Sequence, residues 1–371
     1  MKLEGVRVVD MSQFLPGPFL SNIMADHGAT VIKVEPPGGD PGRDIGLGEN
    51  GTSIFFRNLN RGKRSVCLDL KNPRDLAAML ALADRADVFI ESSRPGVARR
   101  LGTDAAVLRG RNPRLVYCSI SAFGQEGPYR SRPAHDLAVE AMAGAVSCNL
   151  GTDGTPANPS IPVADIAGSL LALSGILMAL YRRQTSGRGD YLDISMHDAT
   201  LASLPNVLGT TFVEKRPPDC RVERTWGGAA FYQVYATRDA RHVVLGAQEH
   251  KFVRNLLGAL GREDLIPLCE RGPGAHQQPV IDYFRDLFKT RTQAEWMAWF
   301  ETLDVSFAPV KNLREAFDDP HAQARAMRLL DEHGGEHIGT PIKYAEEPGR
   351  PTLRAPRLGE HNDEVLGSLN L

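Results

Sequence analysis

The first 124 residues alternate between two hydrophobic periods. "VRVVDMS", residues 6–12, is a short β-rich run. "FLSNIMADHG" follows at helical spacing and stops at Gly28, and "ATVIKVEPP" returns to a strand pattern. Strand, helix, strand in this order is a βαβ unit, and its right-handed crossover makes the two strands parallel. The pattern then repeats. "RSVCLDLK" predicts a strand, "PRDLAAMLALADRA" a helix with Pro73 near its start, and "DVFIESS" a strand. "GVARRLG" continues into a helix, and "PRLVYCSISAFG" predicts another strand. The expected architecture of this part is a doubly wound α/β sheet.

Past residue 124 the rhythm changes. "AHDLAVEAMAG" and "VADIAGSLLALSGILMALYRR" are two apolar helix-like runs behind acidic positions: His135 and Asp136 precede the first, Asp165 the second. "QTSGRGDYLDISMHDAT" is a Gly-rich turn followed by a strand. "GGAAFYQVYATRDARHVVLGA" reads as two strands joined by a turn at 238–241. "EHKFVRNLLGALG" is a helix, and "QPVIDYFRDLFKTRTQAEWMAWFETLD" is one or two amphipathic helices. "SFAPVKNLREAFDDPHAQAR" is strand-like, then helical. The tail has turn residues ahead of a last apolar stretch. This later segment is α+β in character and reads as a second, smaller domain.

A chain of 371 residues has room for more than one domain. With 42% apolar and 24% charged residues its composition is that of a globular protein, and a formal net charge of −2 makes no electrostatic case for nucleic acid or an anionic membrane. The N-terminus runs straight into a strand pattern without a signal-peptide core. The longest apolar run, 170–181, contains Ser and Gly and is short for a bilayer. Cys67, Cys118, Cys148, Cys220 and Cys269 are scattered, odd in number and without CxxC spacing. That spacing argues for a reducing compartment and against a zinc site or disulfide framework. The expectation is a cytoplasmic protein with no metal and no nucleic-acid or membrane partner.

The phosphate-binding signatures are absent from the sequence: no GxGxxG follows the first strand, and no GxxxxGK[ST] occurs. "QFLPGPF" stands there instead, so a nucleotide in this fold must be held by other groups. Asp165 reads either as the N-cap of its helix or as a carboxylate facing a bound carbonyl, because the small residues Ala167, Gly168 and Ser169 would let a ligand reach free N–H groups. His135 is either a hydrogen-bonded structural residue or a base, with Asp136 capping its helix and orienting the imidazole. Glu249 opens a helix, where the helix dipole favours a carboxylate. The basic clusters Arg61, Lys63, Arg64 and Arg94, Arg99, Arg100 are solvated faces or phosphate contacts near strand ends. His197, His242, His276 and His361 are isolated in sequence.

Together, "GVRVVDMSQFLPGPF", "HGATVIKVEPPGGDPGR", "NRGKRSVCLDLK", "DVFIESSRPGVARRLG", "SAFGQEGPY", "AHDLAVEAMAG", "VADIAGSLLALSGILMAL", "TSGRGDYLDISMHDA" and "LGEHNDEVL" resemble the family III CoA-transferase superfamily, closest to its racemase-like branch. That group contains carnitine CoA-transferase, formyl-CoA transferase and α-methylacyl-CoA racemase. The resemblance implies an α/β fold: a Rossmann-like parallel-sheet large domain with an inserted smaller α+β domain, in an interlocked homodimer. The implied boundaries are 1–200 for the large domain, 225–325 for the small one, and 326–371 for a C-terminal segment returning to the large domain. It implies an acyl-CoA substrate, with coenzyme A as part of the substrate and no tightly bound cofactor. Two activities follow. In racemase-type α-proton exchange, His135 and Asp165 work on opposite faces of the acyl α-carbon and Glu249 supports the His. In CoA transfer, Asp165 carries acyl and CoA intermediates. A silent CoA-binding partner subunit is a third reading, which loss of Asp165 would favour. Substrate and CoA contacts are expected from Arg43, Arg61, Lys63, Arg64, Arg94, Arg100, Asp136, Gly227 and Gly228, the last two being the glycines that "WGGAAF" keeps of a shielding loop. The α-proton reading is preferred.

Overall fold

The structure is a computed structural model that describes residues 1–49, 51–151, 153–223 and 227–369. The chain divides into two compact units: one is Met1–Gly144, Pro159–Ser203 and Asp319–Leu371, the other Ala145–Asn158 and Leu204–Asp318. The expected start of a small domain at Thr225, and Trp226 of "WGGAAF", lie outside the described residues.

In the first unit six strands form one sheet: β1 (Arg7–Asp10), β2 (Thr30–Glu35), β3 (Arg64–Cys67), β4 (Val88–Glu91), β5 (Val116–Ser121) and β6 (Tyr191–Ser195). Their order is β3-β2-β1-β4-β5-β6, and every neighbouring pair is parallel. The fold class is thus α/β. β6 joins β5 in the register Tyr117↔Tyr191 to Ser121↔Ser195, so the parallel sheet extends well past residue 124. β4 and β5 are buried at every position, as the continuous apolar runs of central parallel strands require. The order reverses between β1 and β4. At such a point the connecting loops leave in opposite directions and open a crevice at the carboxyl ends of the strands.

The helices that pack on this sheet include α1 (Pro16–Asp26), α2 (Pro73–Asp84), α3 (Asp136–Met142), α4 (Val163–Ser186) and α5 (Met196–Ala202). α1 and α2 both start on a proline, whose fixed φ suits the first turn. Successive strand residues point to opposite faces. Val8 therefore joins Leu20, Met24, Val116 and the α4 residues Ala164, Ala172 and Ile176 on one face, while Val9 joins Val34, Phe89, Met79 and Leu82 on the other. The tail, where the sequence shows only turn residues and an apolar stretch, forms the helix Asn362–Gly367. Val365 and Leu369 enter the second core, and Asn362 Oδ1 accepts the Cys67 amide at 2.9 Å.

The apolar run at 170–181 is the middle of α4, a helix of 24 residues that is long and apolar enough, by length and composition, to cross a membrane. The expectation of too short a run is corrected: Ser174 and Gly175 sit within a helix that extends beyond the run on both sides. One side of α4 is buried. Leu170, Leu171, Leu177, Met178 (66% exposed) and Tyr181 (79% exposed) lie outward.

A set of buried charges lies beneath the strand ends. Lys63 Nζ donates to Asp10 Oδ2 at 3.1 Å, to Asn60 Oδ1 at 2.9 Å and to the Pro18 carbonyl at 3.1 Å. Lys33 Nζ lies 2.7 Å from Asp40 Oδ2 and donates to the Ser12 carbonyl at 3.0 Å. Burial by itself would raise the Asp10 carboxyl, but Lys63, Lys33, Ser12 and Ser21 outweigh it and hold it down at about 2.

The second unit contains the antiparallel strands β7 (Tyr232–Ala236), β8 (His242–Gly246) and β9 (Phe307–Pro309). Helices α6 (His250–Ala259), α7 (Gln278–Phe288) and α8 (Gln293–Phe300) complete its core around Phe231, Tyr235, Phe284, Phe288 and Trp296. The segment 278–304 forms two helices because Thr292 and Glu295 make a capping box that starts the second.

Candidate active site

Two cavities in the first unit open along the carboxyl ends of the strands. One, of about 490 Å³, is lined by residues that follow β1, β2, β3 and β4, among them Met11, Pro36, Asp69 and Ser92. The other, of about 620 Å³, is lined by Phe14, Arg94, Arg130, Arg132, His135 and Asp165 among others. Gln13, Ser92, Ser93 and Val97 line both, so the two cavities meet where the strand order reverses.

The loop after β1 forms one wall. Lys33 and Asp10 fix Ser12, and Asp40 Oδ1 accepts the Phe14 amide at 3.3 Å. Phe14 is held at φ +61°, a conformation a non-glycine residue adopts only when its surroundings impose it. Its ring meets the His135 imidazole edge-on, with centroids 5.7 Å apart. Gly17 is required here, because a Cβ would collide with the Ser12 side chain.

His135 is the N-cap residue of α3 and makes no side-chain cap bond. The expectation that Asp136 caps α3 and orients the imidazole is corrected, because Asp136 turns to a different helix. Its Oδ1 accepts the Asp165 amide at 3.0 Å. One turn on, Glu140 Oε1 accepts the Val163 amide at 3.0 Å. Two carboxylates of α3 thus satisfy first-turn amides of α4, which Pro162, as N-cap, cannot cap with a side chain.

Asp165 is therefore not the cap. It is the third residue of α4, because the helix starts at Val163. The reading of free amides behind a small-residue entrance is also corrected. The Val163 and Asp165 amides are taken, Gly168 abuts Met196, and Ser169 Oγ donates to the Pro16 carbonyl at 2.7 Å. The small residues let α4 pack closely against α1 and α5. Burial first, then the nearby Asp136 and Glu140, raise the Asp165 carboxyl to about 7. The Glu140 carboxyl is raised to about 7 by burial and then by the neighbouring Asp136 carboxyl.

The remaining candidates are placed as follows. Arg94 is exposed on the wall of the 620 Å³ cavity, and Arg100 is exposed on the short helix that follows β4. Arg64 is exposed and pairs with Glu364 at 3.1 Å. Arg43 forms a bidentate pair with Glu35 and stacks over Phe56. Arg61 and Lys63 are buried, bonded to Asp26 and Asp10. Glu249 is in the second unit as the exposed N-cap residue of α6. Gly227 and Gly228 are also there; a Cβ on Gly228 would strike the Val222 backbone, so the turn itself requires that glycine. Phe14, Arg130, Arg132 and Glu140 carry no sequence signal of their own. Among the described residues no group of three or more His, Cys, Asp or Glu side chains could hold a metal ion.

Fold and cavities define an α/β protein with His135 and Asp165 on the wall of a cavity that opens along the carboxyl ends of its strands. Residues 3–362 match CoA-transferase family III, and the chain belongs to that family. It is 34% identical over 387 residues to the succinate–glutarate CoA-transferase of Agrobacterium fabrum, covering 99% of this chain and 95% of the relative. It is 33% identical over 379 residues to the alpha-methylacyl-CoA racemase of Homo sapiens, covering 99% and 93%. A solved CAIB/BAIF family protein from Brucella suis superposes with a TM-score of 0.86 at 27% identity over 99% of both chains. The chain is an enzyme of this transferase and racemase superfamily, and identities of 34% and 33% do not separate the two activities.

Proposed function

We propose that the protein exchanges the α-proton of a 2-methylacyl-CoA thioester, as a racemase does. The observation that carries this reading is His135 and Asp165 on the walls of one cavity. In one direction His135 removes the proton, the C–H electron pair moves onto the thioester oxygen as an enolate, and protonated Asp165 delivers a proton to the opposite face. In the other direction the roles reverse. A carboxyl raised to about 7 suits this work, since it gives and takes a proton near neutral pH. A nucleophilic carboxylate, as CoA transfer needs, is better served by a group fully ionised at neutral pH. Incubation with a 2-methylacyl-CoA in deuterated water, without an acceptor acid, is expected to place deuterium at the α-carbon. Turnover only when a carboxylic acid is added would replace this reading with CoA transfer.

Coenzyme A is proposed to lie along the two joined cavities, with Arg94 as the first phosphate contact and Arg64 and Arg100 further out. Guanidinium groups suit phosphates because they donate in a planar fork. Arg43, Arg61 and Lys63 serve the same site from below by fixing strand ends and loops. The two kinds of cation should respond differently to substitution. Arg94→Glu is expected to weaken binding of a CoA thioester about tenfold or more, roughly 1.5–3 kcal/mol, with unchanged unfolding. Lys63→Met strands the buried Asp10 carboxylate and is expected to cost about 3–5 kcal/mol of stability. Calorimetric titration and denaturant unfolding of both variants check this, and equal effects of the two would defeat the division.

The enzyme is further proposed to be an interlocked homodimer in the cytoplasm, with the smaller domain inserted in the larger. The outward apolar side of α4 supports the dimer, since a patch with Met178 and Tyr181 on it is unusual for an isolated surface. Sedimentation at micromolar concentration is expected to give twice the chain mass; a 40.5 kDa species would refute it.

A further inference from the structure

We infer that Glu140 is a positioning residue for Asp165, acting with Asp136 to hold the first turn of α4 and to couple the ionisation of Asp165 to a second carboxyl. The inference rests on Asp165 being a reacting group, as proposed above.

The geometry is specific. Asp136 and Glu140 are four residues apart and so share one side of α3. Each accepts one amide from the first turn of α4, Asp165 through Asp136 and Val163 through Glu140, both at 3.0 Å. Glu140 is 1% exposed although it is acidic. Burial first, and then the neighbouring Asp136 carboxyl, push the Glu140 carboxyl up to about 7. A Glu140 carboxyl raised to about 7 changes charge in the same pH range as Asp165, so the two ionisations are not independent.

Other charges near this cluster are either paired or on the cavity wall. On α5, which packs against α3, His197 and Asp198 face each other at 3.3 Å. On α1, Asp26 is engaged by Arg61. Arg94, Arg130, Arg132 and His135 line the cavity that Asp165 faces. Asp136 and Glu140 are the groups that raise Asp165 after burial itself. When Glu140 loses its proton, a further negative charge stands beside Asp165, whose ionisation becomes harder still. Asp165 should therefore titrate over a broadened range, not as a single independent group.

The closing experiment reads Asp165 directly, by carboxyl carbon-13 NMR of the full chain labelled at aspartate, with the Asp165 signal assigned by its loss in Asp165→Asn. Glu140→Gln keeps an oxygen acceptor for the Val163 amide and removes one titrating charge. The Asp165 midpoint is expected to fall by about one pH unit in Glu140→Gln and to sharpen to a single step. The acid limb of α-deuterium exchange is expected to move with it. An Asp165 titration unchanged in midpoint and shape overturns the inference. If Glu140→Gln does not fold, Asp136→Asn is used, with glutamate labelling. The Glu140 midpoint is then expected to fall, and an unmoved one overturns the inference equally. The NMR readout needs no substrate. A shifted Asp165 in an enzyme that exchanges no α-proton supports the coupling while removing the proposed reaction.

Discussion

Asp165→Asn is expected to reduce epimerisation by at least about a thousandfold and, at pH 8, to raise the thermal unfolding midpoint. The gain in stability follows from the sign of the shift. The Asp165 carboxyl is raised in the folded chain, from 3.8 to about 7. Between those values the folded state binds more protons than the unfolded state, so this group's contribution to stability is fully present below pH 3.8 and is lost as pH rises through 7. Asparagine is neutral at every pH and escapes that loss. One term opposes it: a carboxylate in a helix first turn gains about 0.3–1 kcal/mol from the dipole. That gain is small here, because Asp136 and Glu140 already occupy amides of the turn. The expected rise is about 2 °C at pH 8, shrinking toward zero near pH 4, as followed by calorimetry across that range. If Asp165 were needed only for folding, its neutral form would bring no gain at high pH and no loss of activity. Near-normal turnover in Asp165→Asn would remove both α-proton exchange and covalent CoA transfer from this site.

The sheet was legible because central parallel strands advertise themselves. "DVFIESS" and "LVYCSIS" are buried on both faces and so are continuously apolar, and the helices Pro16–Asp26 and Pro73–Asp84 each carry a proline at their start. Which loops meet at the crevice follows from the observed strand order, with the reversal between β1 and β4. Clusters of like charge were less legible. Lys63 and Arg64 are adjacent in sequence, but the chain enters β3 at this point and successive residues face opposite ways. One is fully buried against Asp10 and the other is exposed near Glu364. Proximity in sequence grouped two residues that the pleat separates.

The origin of α4 was misread by three residues for a related reason. Asp165 is a favoured capping residue and Pro162 is not, yet Pro162 has the N-cap position. The amides it leaves open are closed by carboxylates 23 and 29 residues earlier in the chain, from Glu140 and Asp136. Their spacing of four placed them on one side of α3. Only the packing of α3 on α4 shows what that side meets. The same holds for Phe14, whose left-handed backbone is imposed by Asp40 and the buried lysines instead of by its own residue type.

His135→Ala divides the two catalytic readings that Asp165→Asn leaves together. In α-proton exchange each face of the acyl carbon needs its own proton carrier, and Asp165 cannot serve both. Loss of the imidazole is then expected to cut epimerisation by about a thousandfold. The half-reaction at Asp165 should partly survive: wash-in of deuterium from the face it serves, with the hydrogen returned from that same face. In CoA transfer the covalent steps belong to Asp165, and removal of His135 should cost less than about tenfold. Folding is not expected to confound the comparison. His135 makes no cap hydrogen bond, and its ring meets Phe14 only by an edge-on contact worth about 0.5–1.5 kcal/mol. Measurement pairs chiral analysis of the thioester with mass spectrometry for α-deuterium. Retained deuterium wash-in without inversion assigns the two residues to opposite faces. Full epimerisation by His135→Ala would show that the imidazole beside Phe14 is structural and that another group in the cavity carries the second proton.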